Sequence, residues 1–273
     1  MREGVLVACS QNLERFLPWW WLHYRAHNSF PVAFVDFGLS LQGQEWCRKR
    51  GSLLPLSSPD FSVVLKEDVF PETAALWERC YGSGFWGLRR FWFKKPLAMR
   101  HTPFRHTIWC DLDCQIRGSL EPLFAYSLSP QGLAAAREIY PQLSLLRQGE
   151  TEYNAGVVVY QDDSPVLAAW AEECVHRNAL HIGDQHALSR VLFERGEHAC
   201  TLPALYNWSR MNRPDPRALI IHWHGGKGKE NILQQMAFLH QRLFVDWHLG
   251  LHFREASHTL EKKPEVGHAG GAT

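Results

Sequence analysis

The sequence predicts an α/β fold with a central, mostly parallel sheet flanked by helices. Three observations lead there. Short apolar runs alternate with segments of helical period over the first 56 residues. The runs are nearly continuous in apolar character, as strands buried on both faces must be. They end in small or acidic residues, which suits loops at the carboxyl edge of such a sheet.

The elements follow in order. "GVLVACS" (residues 4–10) reads as a buried strand opening onto a loop. "NLERFLPWWWLHYRAH" reads as a helix starting near Asn12, bent or restarted by Pro18. "PVAFVDFGLS" is a second strand ending near Asp36, "QGQEWCRKRG" a helix closed by Gly51, and "SLLPLS" a third strand. The stretch from Asp68 to Thr102 is helical in part, with Gly82, Gly84 and Gly87 as a break. "HTIWCDLD" is the next strand, and "QGLAAARE" suits strand or helix. "NAGVVVYQ" is a strand; "PVLAAWAEECVHRN" and "GDQHALSRVLFERG" are helices, the second with Asp184 in its first turn. "ALIIHWHGGKGK" is a late strand running into a glycine-basic loop. No linker or repeat interrupts the chain. Residues 1–253 are therefore expected to form a single domain, and residues 254–273 a disordered tail.

Composition narrows the function. A hydrophobic share of 45% over 273 residues supports a sizeable core. The formal net charge of +1 argues against a nucleic-acid binder. Seven cysteines without a C-x-x-C pair read as reduced, buried thiols, and zinc at Cys110 and Cys114 lacks the further ligands it would want. No apolar run reaches membrane-spanning length, and the N-terminus lacks a signal-peptide layout. The expectation is a cytoplasmic protein, or one peripheral to the inner face of a membrane. Asn231 to Phe253 is aromatic and amphipathic, so it would cap the domain or make that membrane contact. Trp19, Trp20 and Trp21 span more than one helix face, so packing is expected with at least one ring exposed or at an interface.

The chemistry centres on "WCDLDC". Asp111 and Asp113 alternate with Leu112, so an extended strand would point both carboxylates to one side. Two hard oxygen ligands suit Mg²⁺ or Mn²⁺, and those ions suit a diphosphate. Two solvated acids at a strand end would read the same way in isolation. The order of further motifs separates the readings.

Several of those motifs together resemble nucleotide-diphospho-sugar glycosyltransferases of the GT-A (Rossmann-like) fold, closest to glycosyltransferase family 8. "KKPLAMRHTPFRHTIWCDLD" is similar to the family's lysine-bearing helix and D-x-D strand, with 16 residues from Lys95 to Asp111 (111 − 95). "YNAGVVVY", "GDQHAL" and "IIHWHGGKGK" resemble its F-N-A-G-V strand, D-Q-D turn and H-x-x-G-x-x-K loop. The likeness covers about residues 4–230. It implies a hexosyltransferase using a nucleotide-diphosphate sugar, a UDP-sugar in particular, with Mn²⁺ (or Mg²⁺) and retention at the anomeric carbon. The acceptor would be a hydroxyl on a glycan or lipid-linked saccharide.

By the same resemblance, Asp111, Asp113 and His222 would hold the metal, with Asp111 also facing the donor's ribose. Lys95 would neutralise phosphate or touch the donor sugar. Asn154, Asp184 and Gln185 would line the sugar pocket, with Gln185 and Asp184 at its reactive face. Ala8, Ser10, Asn12 and Asp36 would cup base and ribose. The final loop departs from the pattern: the expected lysine position is Gly228, with Lys227 one residue early and Lys229 one late. Either could hold the diphosphate. His224 competes with His222, which is preferred because Gly225 then falls in register. Two rivals stand beside this reading. A sugar-phosphate nucleotidyltransferase would need a Gly-rich basic loop after the first strand, which "ACSQNLERF" lacks. A catalytically silent sugar-nucleotide-binding scaffold is kept in play by the altered lysine loop.

Overall fold

The computed structural model describes residues 2–55 and 62–243. The outer part of the segment at 231–253 and the tail at 254–273 lie outside the described residues.

In chain order the main strands are β1 (Glu3–Cys9), β2 (Val32–Asp36), β3 (Ser52–Pro55), β4 (His106–Cys110), β5 (Cys114–Ile116), β6 (Leu133–Arg137), β7 (Tyr153–Gln161), β8 (Cys200–Thr201), β9 (Trp208–Ser209) and β10 (Ile220–His222). A seven-stranded sheet runs β3-β2-β1-β4-β7-β6-β8, and a small sheet runs β5-β10-β9. The large sheet is parallel except at β7, which runs against both β4 and β6. That reversal has a consequence for the site. It lays the start of β7 against the end of β4, so Cys110 pairs with Val157 and the Asp111 N–H donates to the Gly156 carbonyl at 2.8 Å.

The continuous apolar runs divide their side chains between two layers, as strand alternation requires. Val5, Val7, Ile108, Cys110, Val157 and Val159 face a core with Trp19, Trp20 and Phe34. Leu6, Trp109, Val158 and Tyr160 face a second core with Phe93, Trp170 and Leu188. The first core is covered by α1 (Leu17–Arg25) and α2 (Leu41–Arg48). The second is covered by α4 (Trp86–Met99), α5 (Pro165–His176) and α6 (Asp184–Glu194); α3 (Pro71–Tyr81) belongs to a smaller satellite cluster.

Local chemistry sets the helix starts. Pro18 falls in the first turn of α1, where its missing N–H breaks no helical bond. Ser40 caps α2 and Ser164 caps α5, each accepting a backbone N–H three residues on. Gly82, at φ +73°, ends α3. Gly87 is not part of the break, because it lies inside α4.

Three further expectations are refined. "QGLAAARE" forms strand β6, since its alanines fill both cores between β7 and β8. The three tryptophans pack: Trp19 and Trp20 are buried, and Trp21 lies half-buried against Phe34 and Trp46. The glycine-basic stretch after β10 is not a loop. It is the first turn of α7 (Gly225–Leu243), and a side chain at Gly228 would collide with the Trp223 carbonyl. No described helix is long and apolar enough to cross a membrane.

Candidate active site

The two acids do not sit on an extended strand. β4 stops at Cys110 and the chain turns, with the Cys114 N–H donating to the Asp111 carbonyl at 3.0 Å. Leu112 turns into the core, and the acids are left on the outside of the bend. They converge on one neighbour instead. His222 Nε2 lies 3.3 Å from Asp113 Oδ1 and 3.9 Å from Asp111 Oδ2. Gly156 makes that approach possible, because a Cβ there would overlap the His222 ring.

Each acid also has its own lysine. Lys95 is buried, and its Nζ lies 3.1 Å from Asp111 Oδ1, 3.1 Å from Asp184 Oδ2 and 3.0 Å from the Ala155 carbonyl. Burial alone would lower the Lys95 amine, but Asp111 and Asp184 outweigh it and hold it above the usual lysine range. Lys229 Nζ lies 2.8 Å from Asp113 Oδ2. Burial pushes the Asp113 carboxyl up, yet Lys229 and His222 together hold it well below the usual carboxylate range. Burial raises Asp184, which keeps no hydrogen-bond partner for Oδ2 beyond the Lys95 ion pair.

Arg89, six residues before Lys95 on α4 (95 − 89), fixes the approach to Asp184. It is fully buried and donates to the carbonyls of Val64, Asn178, His181 and Ile182 at 2.7, 2.7, 2.9 and 3.3 Å. Among the described residues no carboxylate pairs with it. Burial lowers its guanidinium to about 10, and the carbonyls and the Trp77, Trp86 and Phe93 rings serve as its partners.

No protein-family model and no curated protein matches the sequence. Solved structures do match. The galactosyltransferase LgtC, in complex with donor and acceptor sugar analogues, aligns with 91% of this chain and 100% of its own, at TM-score 0.60 and 16% identity. The apo form of mouse xyloside xylosyltransferase 1 aligns with 81% of this chain and 97% of its own, at TM-score 0.55 and 16% identity. The fold is GT-A. The glycosyltransferase GlyE of Streptococcus pneumoniae TIGR4 adds a third match over 92% of this chain and 62% of its own, at TM-score 0.57 and 17% identity.

The GT-A fold implies a divalent cation, and the donor set accommodates one. His222 Nδ1 lies 3.1 Å from Asn207 Oδ1, and Asn207 Nδ2 donates to Asn154 Oδ1 at 2.7 Å. Asn207 Oδ1 therefore accepts from Nδ1–H, which turns Nε2 toward the two acids. A metal ion would take the place of the Nε2 proton there, with the imidazole nitrogen and the two carboxylates as its ligands. Asp113, His222 and Cys114 also offer ligand atoms within 4.8 Å of one another. Burial holds the Cys114 thiol well above its ordinary range, so it is a protonated neighbour and a weak ligand beside the carboxylates.

The remaining expected residues are placed as follows. Lys229, not Lys227, reaches the acids: the two lie two residues apart on α7, about 200° around the helix, and Lys227 is exposed. His224 lies past the end of β10, bonds Ser209 Oγ at 2.8 Å, and is lowered to about 4 by burial and by His222. Asn154 is tied to Glu138 and Asn207. Ala8 and Ser10 lie at the end of β1 and in the turn after it, and Asn12 is exposed. Asp36 accepts from the Gly38 and Leu39 N–H groups, so one of its oxygens shapes the turn after β2.

Sequence reasoning missed Glu138, Glu152 and Asn207. All three hold candidate residues in place, and all three lie in segments with no motif of their own. Gln185 donates to Glu152 Oε1 at 2.8 Å and to Glu138 Oε2 at 3.2 Å, and its Oε1 accepts the Ala155 N–H at 3.3 Å.

Proposed function

We propose that the protein transfers a hexose from a nucleotide-diphosphate sugar, with a UDP-sugar as donor, to a hydroxyl of a glycan or lipid-linked saccharide. The reading includes a divalent cation, Mn²⁺ or Mg²⁺, and retention of anomeric configuration. One observation carries it: on a GT-A scaffold, Asp111, Asp113 and Nε2 of His222 face one another, with a lysine behind each acid. Formally, Asp111, Asp113 and Asp184 against Lys95 and Lys229 leave one negative charge (−3 + 2 = −1). That balance suits a dication followed by an anionic diphosphate.

In this reading Asp111, Asp113 and His222 hold the cation. When bound, it supplies positive charge beside the departing diphosphate. Lys229, half-exposed on α7, swings from Asp113 to the phosphate oxygens and offsets the charge that grows there. Lys95 holds Asp111 and Asp184 in place. Asn154 and Gln185 present amides to the sugar. Among the described residues no side chain of the site is arranged as a covalent nucleophile: Asp184 is committed to Lys95, and the Gln185 amide already has three partners. A front-side displacement follows, with no sugar–protein bond.

The test is a panel of nucleotide sugars assayed for Mn²⁺-dependent hydrolysis and binding. The expectation is turnover of at least one donor, abolished by chelation and reduced about 10²-fold or more in Asp113→Asn. If none binds, or if Asp113→Asn retains metal-dependent turnover, the proposal fails. Binding without turnover supports a silent scaffold instead. An inverted product defeats the stereochemical part alone.

A further inference from the structure

We infer that Glu152 is a positioning residue for glycosyl transfer, locking the Gln185 carboxamide so that its oxygen stays turned to Ala155 at the start of β7. This rests on the function proposed above and assigns a new role within that site.

The argument starts from the shape of an amide. Its oxygen and nitrogen ends are nearly isosteric, so packing alone does not choose between a Gln185 that presents Oε1 and one that presents Nε2. Hydrogen-bond partners choose. A carboxylate only accepts, and both N–H bonds of Gln185 end on carboxylates, Glu152 at 2.8 Å and Glu138 at 3.2 Å. The oxygen is thereby turned to Ala155, whose N–H it accepts at 3.3 Å. Ala155 is also the residue whose carbonyl receives Lys95, so this edge of β7 carries Lys95 and Gln185 together.

Glu152 is the selective member of the pair. Glu138 also accepts from Asn154 at 2.7 Å, and its other oxygen accepts the Tyr140 N–H, so altering it disturbs three groups. Glu152 holds Gln185 with one oxygen and the Gln142 N–H, at 2.7 Å, with the other. Both its oxygens accept, so it acts as a carboxylate, although burial pushes its carboxyl up. It is buried, while Glu138 is half-buried, and among the described residues no cation is ion-paired with it. A buried carboxylate held only by N–H donors is costly to keep, which is unexpected in a side chain with no task.

Glu152→Gln retains the shape and breaks the lock. The new amide must turn its N–H₂ group toward either Gln142 N–H or Gln185 Nε2, and each choice sets donor against donor. Gln185 relieves the second by flipping, which withdraws its oxygen from Ala155. Misplacement of a positioned group by about 1 Å lowers turnover about 10²-fold. The expected result is a kcat about 10²-fold lower in Glu152→Gln, with donor KM and nucleotide affinity within about threefold of wild type. In a Gln185→Ala background the same substitution produces no further loss, an outcome that general loosening would not give. Thermal melting of each variant reports whether it folds, and Glu152→Asp, which keeps the carboxylate, recovers part of kcat. Equal kcat in wild type and Glu152→Gln, or equal losses with and without Gln185, overturns the role. A wild-type protein that turns over no nucleotide sugar overturns the proposed function and this role with it.

Discussion

Replacing Lys95 with Met removes the only ammonium in ion-pair contact with both Asp111 and Asp184 among the described residues, while keeping most of the apolar stem. At 3.1 Å and an effective dielectric near 20, each contact contributes about 5 kcal/mol of attraction, opposed by a desolvation penalty of several kcal/mol per ion. The quantity measured is therefore the cost of two orphaned carboxylates, about 3–5 kcal/mol. The pH dependence fixes the mechanism. Asp184 is already raised by burial, and a raised carboxyl contributes stability that is present below its unfolded value and lost as pH climbs through its folded value. Without Lys95 it rises further. The gap between wild type and variant should widen from pH 5 to pH 8, by up to about 1.4 kcal/mol per pH unit while Asp184 titrates. Urea denaturation of both proteins at the two pH values measures it. A gap under about 1 kcal/mol at pH 8, or one that does not change with pH, refutes the reasoning.

Two other substitutions probe the site. Gly156→Ala drives a methyl into the His222 ring, so Mn²⁺ affinity read from the signal of free Mn²⁺ in electron paramagnetic resonance should fall about tenfold; unchanged affinity would remove His222 from the ligand set. Lys229→Met should weaken UDP binding in the presence of Mn²⁺ by about tenfold in calorimetry, while Lys227→Met should change it less than about twofold, because only Lys229 reaches the acids.

What could be read from sequence follows from what each residue depends on. Asp111 and Asn154 sit at the ends of buried strands, and such strands announce themselves by composition alone. Lys95 was marked by its interval to Asp111 on a helix. The choice between Lys227 and Lys229 depended on helical phase, and three glycines hid that helix. Gly228 is there for the Trp223 carbonyl, a contact no local pattern reveals. The bend at Asp111–Asp113 was misjudged because Leu112 looks like an ordinary strand residue until the core beneath it is known. Glu138, Glu152 and Asn207 were illegible for a stronger reason. Each acts on a residue brought near only by the sheet order, and a lone acid or amide in a loop has many harmless explanations.

Arg89 and Lys95 share one helix, and that makes α4 a ruler for the site. Arg89 grips the carbonyls of Asn178, His181 and Ile182, the chain that leads into Asp184, while Lys95 grips Asp184 itself. Both ends of the span from residue 178 to residue 184 are therefore measured against the same rigid rod. A tilt of α4 carries the acid along with its ammonium and cannot pull them apart. Length changes between 178 and 184 should thus be poorly tolerated, since any added residue must be absorbed between two fixed marks.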